Sequence, residues 1–203
     1  DSSSPTPWGM LISRGWEKAM ILISPDHTKR ISKVIIDAGE LYSSDKECVI
    51  QTTLGPCVSV CVFDRKNGIA GMNHYGLARP VSDLRKNDRL RYGIHAMPAL
   101  VRGLVQLGAD RKNLAAKVFG GCSRKGSGRF ERLGKRNIEF ALSWLSKEHI
   151  PIAARDLGGM RPRTLTFNTK TTIVQVSKMP WPGEHPTPIP VLAGRTIENS
   201  PHA

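Results

Sequence analysis

The segment Thr52-Thr-Leu-Gly-Pro-Cys57 and the run Ala70-Gly-Met-Asn-His74 carry the residue types that nucleophilic chemistry needs. Gly55 lets the backbone bend tightly at the end of an extended stretch, so the cysteine just past it is placed to be exposed. A free thiol with its ordinary pKa of about 8.5 is only a few per cent thiolate at neutral pH, and an adjacent imidazole is what usually raises that fraction. His74 is the natural candidate, because it follows a hairpin that can carry it to a sheet edge. A second thiol, Cys61, lies inside the apolar run Val58-Ser-Val-Cys-Val-Phe63. A two-residue Asn67-Gly68 turn pairs Lys66 with Ile69 and sets His74 opposite Cys61 rather than Cys57. A longer turn is expected to bring His74 no nearer, so a Cys57–His74 pair requires a bulge, a break or a path outside the hairpin. The local pattern leaves both thiols open.

Cys48 and Cys122 fit structural positions. On an extended segment Cys57 and Cys61 stand about 13 Å apart, against a Cα limit of about 7 Å for a disulfide. A chain of 203 residues buries its own core without staples, so four free thiols are expected. No Cys-x-x-Cys, no His-Glu-x-x-His and no zinc-ligand spacing occurs, and no metal site is expected.

The elements that must position these residues read as a mixed α and β domain. Strands are expected over Lys33–Ile36, Cys48–Thr53, Val58–Phe63 and Ile69–Met72, the last two forming a hairpin. Ile94, Met97, Val101, Leu104 and Val105 make a helical stripe over Tyr92–Leu107, closed by Gly108. Asn113–Phe119 reads as a strand running into Gly120-Gly121. Arg136–Leu145 reads as a second helix, limited by Pro151. Leu165–Phe167 and Thr172–Val176 close the fold as strands around a polar turn. This gives one α/β domain over 29–178, with two main helices packed on a mixed, largely antiparallel sheet. Residues 1–28 form an N-terminal extension expected to be partly mobile, and 179–203 a Pro-rich tail with five prolines between Pro180 and Pro190.

Composition narrows the function classes. Lys and Arg outnumber Asp and Glu by 30 to 17, a net charge of +13, yet 39% hydrophobic content and 23% charge are ordinary for a globular chain and exclude a disordered polycation. Charged residues interrupt every apolar run before the roughly 20 residues a membrane span needs, so no membrane insertion is expected. Arg124, Lys125, Arg129, Arg132, Lys135 and Arg136 surround Gly126-Ser-Gly128 and are expected to form a basic surface loop. A basic nucleic-acid-binding module is the alternative class. Three Tyr and five Phe with no RNA-binding aromatic motif argue against it.

Seven short pieces carry a resemblance. They are Leu54-Gly-Pro-Cys57, Val58-Ser-Val-Cys-Val-Phe-Asp64, Ala70-Gly-Met-Asn-His74, Arg91-Tyr-Gly93 with Ala96-Met97, Lys117-Val-Phe-Gly-Gly121, Gly134-Lys-Arg-Asn137 and Asp156-Leu-Gly-Gly159. In this order and spacing, from about Val34 to Val176, the chain resembles the CheD family of chemoreceptor glutamine deamidases. The resemblance implies a three-layer α/β/β sandwich, a nucleophile at Cys57 and a histidine at His74. It also implies hydrolysis of receptor glutamines, and of glutamyl methyl esters, through a thioester without any cofactor. The implied setting is the cytoplasm, with chemoreceptor helices as substrate and a CheC-type phosphatase as a second partner. A non-catalytic chemotaxis adaptor on the same fold is the remaining alternative. Two positions depart from the family. Pro56 stands where it usually has Ser, and Gln51 where a Thr often serves as third catalytic group. The group that orients His74 is therefore expected at Gln51 or Thr53, or at a backbone carbonyl.

Overall fold

The computed structural model describes residues 10–12, 19–23, 30–80, 89–123, 126 and 128–180. Strand β6 (Val58–Asp64) shows how its layers arise, because all seven of its residues are buried. Such a strand must be covered on both faces. On one face Val58, Val60 and Val62 pack with Leu100, Leu104, Ala141 and Leu145 of helices α1 (Gly93–Gln106) and α2 (Arg129–Lys147). On the other, Cys61 and Phe63 pack with Ile50, Leu165 and Phe167 of a second sheet. The α/β/β sandwich follows directly.

The sheet under the helices runs β1 (Met10–Ile12), β4 (Glu40–Ser44), β7 (Ile69–Tyr75), β6, β8 (Leu114–Gly120) and β9 (Ile152–Leu157). The outer sheet runs β11 (Val174–Lys178), β10 (Arg163–Asn168), β5 (Cys48–Leu54), β3 (Arg30–Ile35) and β2 (Ala19–Ile23). Pairs β8–β9 and β3–β5 are parallel and the others antiparallel. The chain changes sheet at one end of the sandwich between β3 and β4, between β5 and β6 and between β9 and β10.

Several boundaries differ from the sequence-based reading. The second helix begins at Arg129, not Arg136, so Arg129, Arg132, Lys135 and Arg136 lie on a helix rather than in a loop; Arg124, Lys125 and Ser127 fall outside the described residues. Periodicity hid this start, because the first two turns are dominated by charged residues. The last strand begins at Val174, since Thr172 takes a positive φ of 57° in the turn before it. Strands β4 and β9 were not anticipated. β9 lies at a sheet edge and is mostly exposed, so no apolar alternation marks it. Within the first 28 residues, Met10–Ile12 and Ala19–Ile23 are strands paired to β4 and β3. The Pro-rich segment beyond Pro180 lies outside the described residues.

Gly120 ends β8 at φ 110°, and a Cβ there would stand 2.3 Å from the Cys57 carbonyl oxygen. Gly120→Ala is expected to lower stability by about 2–3 kcal/mol, the upper range for a strained backbone position made worse by a clash. A lower urea midpoint with an unchanged denaturant slope is the result to look for.

Candidate active site

Cys57 sits where the chain leaves the outer sheet for the inner one. Three successive carbonyls anchor that bend. Gly55 O accepts from Cys122 N–H (3.1 Å), Pro56 O accepts from Asn137 Nδ2 (3.0 Å) and Cys57 O accepts from Gly121 N–H (2.7 Å). Because the bend is held through its carbonyls, the missing N–H of Pro56 removes none of these anchors. Asn137 also donates to Gly76 O (2.9 Å), tying together the two backbone segments that flank the cysteine. Gly76 lies against the sulfur, since a Cβ there would meet Sγ at an ordinary contact distance of 3.8 Å.

The hairpin register decides how His74 relates to this sulfur. Asp64 pairs with Ile69, so the connection is four residues long and Ser59, not Cys61, lies opposite His74. The longer turn thus brings His74 two residues closer to Cys57, contrary to the expectation that it could not. Asp64 accounts for it, because its carboxylate accepts the N–H groups of Lys66 (3.0 Å) and Asn67 (3.1 Å) and a bond from Asn67 Nδ2 (2.7 Å). Cys57 extends β6 one residue past Val58, opposite Gly76, so His74 is its diagonal neighbour on the adjacent strand. Both side chains face the space between the sheets. Cys57 packs against the core there, and His74 reaches Thr52 of the outer sheet.

That contact sets the tautomer. Thr52 Oγ1 lies 2.6 Å from Ile36 O and 2.8 Å from His74 Nδ1. A hydroxyl has one proton, which the carbonyl must receive, so Thr52 accepts from Nδ1–H and the lone pair of neutral His74 is on Nε2. Nε2 is buried and makes no hydrogen bond among the described residues. Burial drives the imidazole pKa down from 6.5 to about 4; the Asp37 carboxylate and Ile36 carbonyl oppose this and Arg91 adds to it. The Cys57 thiol is pushed up, chiefly by burial, with Arg91 pulling it down and Cys122 adding a smaller rise. At neutral pH the resting pair is a thiol and a neutral imidazole.

Gln51 and Thr53 do not meet His74. Along β5 the buried positions are Cys48, Ile50, Thr52 and Leu54, which places Gln51 and Thr53 on the opposite face, where Thr53 Oγ1 shares a 3.0 Å bond with Thr164. The sequence held this signal, since Thr52 shares the parity of Ile50 and Leu54. Asn137 was missed as a positioning residue for a similar reason. It lies four and eight residues before the buried Ala141 and Leu145, on the inward stripe of α2. The other three thiols are closed off: Cys48, Cys61 and Cys122 are buried and Cys57 only half-buried. Cys61 is fully enclosed, its thiol pushed far up by burial.

Iodoacetamide is therefore expected to label Cys57 ahead of the other three in the native protein, with a rate still climbing at pH 9. Peptide mapping checks the selectivity, and a rate plateau below pH 8 would show an activated thiolate instead. His74 also generates an acid dependence. Its imidazole binds protons less readily folded than unfolded, so the unfolded chain holds more protons between pH 6.5 and 4 and stability rises with pH across that window. The contribution, on the order of 3 kcal/mol, is complete above pH 6.5 and lost as pH falls to 4. Urea midpoints should fall less steeply over this window in His74→Gln than in the wild type.

Comparison with known proteins places the chain in a family. The model of the family described as "CheD chemotactic sensory transduction" matches residues 78–178. A Paraburkholderia xenovorans protein is 39% identical over 142 residues, 69% of this chain and 57% of its own length. One from Ralstonia nicotianae is 39% identical over 153 residues, 75% of this chain and 65% of the relative. One from Borrelia garinii subsp. bavariensis is 42% identical over 131 residues, 64% of this chain and 79% of the relative. Each is named "Probable chemoreceptor glutamine deamidase CheD". The chain spans less than two thirds of the length of the first two. With the α/β/β layers, the Cys57 bend and these identities together, the chain belongs to the CheD family.

Proposed function

We propose that the protein is a protein-glutamine deamidase in which Cys57 is the nucleophile and His74 the general acid and base. The observation that carries this reading is the Thr52–His74 bond, which leaves the Nε2 lone pair on the face that holds the most exposed of the four thiols. Nε2 takes the Cys57 proton as the thiolate attacks the side-chain carboxamide carbon of a glutamine, giving a tetrahedral oxyanion and an imidazolium. The Cys57 N–H has no backbone partner among the described residues and lies beside its own sulfur, so it serves as an oxyanion donor. The imidazolium then protonates the leaving nitrogen, and ammonia departs as the thioester forms. Water attacks the thioester, His74 takes its proton and passes it to the departing sulfur, and glutamate remains. A glutamyl methyl ester enters the same acyl-enzyme with methanol leaving, and neither route needs a cofactor.

The names of the relatives support a chemoreceptor as the substrate, and the family resemblance adds that its cytoplasmic helices carry the glutamine. A CheC-type phosphatase is proposed as a second partner, from the family resemblance. Thr52 is the positioning residue for His74 in this scheme, in place of Gln51 and Thr53.

Incubation with a receptor cytoplasmic fragment, read by mass spectrometry, tests the scheme. Wild type and Cys61→Ala are expected to add about one dalton at a glutamine, the change of an amide NH₂ to OH, and Cys57→Ala to add none. Thr52→Val keeps the shape of the side chain but frees the Nδ1 proton. It is expected to lower kcat by about tenfold or more, within the ~10²–10⁴ contributed by general acid–base catalysis, and to alter the pH profile. Persistent ammonia release by Cys57→Ala would overturn the assignment.

A further inference from the structure

Arg91 ends a short 3-10 turn, Arg89–Arg91, and is exposed. Its carbonyl accepts the N–H groups of Gly76 (3.0 Å) and Leu77 (3.1 Å), so its backbone is tied to the segment over which the Cys57 sulfur lies. Its side chain rests on the bend between β3 and β4, with Cγ 3.0 Å from where a Cβ on Gly39 would stand, and Gly39 N–H donates to His74 O (2.8 Å). The residue therefore bridges the two segments that flank the thiol and the imidazole. Its guanidinium makes no ion pair or side-chain hydrogen bond among the described residues, unlike that of Arg111 or Arg163. It is also the one charged side chain among them that bears on the Cys57 thiol, whereas Asp37 bears on His74. The Glu40 carboxylate, nearby on β4, accepts the Asp37 N–H (2.8 Å).

An uncommitted guanidinium beside a nucleophile presents a planar fork of donors to a carboxylate. We propose that Arg91 forms a carboxylate-binding subsite at the rim of Cys57, which favours protein substrates carrying an acidic side chain next to the target glutamine. The choice of glutamine rests on the deamidase reading; the anion subsite rests on the setting of Arg91 against Gly39, Gly76 and Leu77 and on its electrostatic influence on the thiol. Because Arg91 is exposed, the preference is moderate and weakens with salt.

The full-length protein tests the two parts separately. Alkylation of Cys57 is timed with anionic iodoacetate and neutral iodoacetamide, and the ratio of the two rates cancels the thiolate fraction. That ratio is expected to fall about two- to fivefold in Arg91→Gln and further in Arg91→Glu, with the difference shrinking as salt is added. An unchanged ratio overturns the subsite. Glutamine peptides bearing a neighbouring Glu or Lys are then compared. Wild type is expected to favour the Glu peptide through KM, and Arg91→Glu to favour the Lys peptide. Deamidation with the same preference in both enzymes overturns the subsite and leaves the deamidase reading standing. A shifted reagent ratio with no peptide deamidated supports the subsite and overturns that reading.

Discussion

A single hydroxyl proton organises the centre of this protein. Thr52 gives it to the Ile36 carbonyl and so has only a lone pair left for His74 Nδ1, which fixes the imidazole as the tautomer with a basic Nε2. The bond crosses between the two sheets, so it exists only when both are formed and in register. The parallel pairing of β3 with β5, Ile35 beside Gln51, brings the Ile36 carbonyl to Thr52. The antiparallel pairing of β6 with β7 brings His74 beside the end of β6. Side-chain chemistry and sheet topology are thus coupled through one contact.

The same geometry sets the resting charge state. Burial disfavours both the imidazolium and the thiolate, so the free protein holds a neutral pair, and in the proposed scheme the proton moves only during the reaction. The low-dielectric space between the sheets makes an Nε2 without a partner among the described residues expensive to maintain, a cost consistent with the base proposed for it. Packing elsewhere sustains it. Asn137 reaches from the helix layer to both flanks of the cysteine, while the buried Arg163 bonds Asp156 (2.7 Å to Oδ1) and Gly158, holding the loop after β9 against Gly120 and Ser123.

Backbone groups carry much of the load at the Cys57 bend. Pro56 occupies a position where an N–H is absent, yet the carbonyls of Gly55, Pro56 and Cys57 all accept hydrogen bonds. A Thr five residues before the cysteine, rather than six, still reaches His74, because what matters is the inward face of β5 and not the count along the chain.

Read alone, the residues already indicate a mixed α and β domain with two main helices. The motif order around Leu54–Cys57 and Ala70–His74 carries the family resemblance, which implies the α/β/β layers and points to Cys57 rather than Cys61, a choice the local pattern leaves open. Alternation along Cys48, Ile50, Thr52 and Leu54 was legible too, though the spacing to the cysteine drew attention to Gln51 and Thr53 instead. The hairpin register was not read, because the Asp64 carboxylate that lengthens the turn caps Lys66 and Asn67 locally and is held in place by the distant Asp110 N–H, and together these override the Asn67-Gly68 preference. Nor was the start of α2, whose charged first turns are helical by virtue of docking rather than pattern. Composition and periodicity are properties of each segment and survive in the string; register, tautomer and the setting of Arg91 depend on which segments meet, and only the packed sheets decide that.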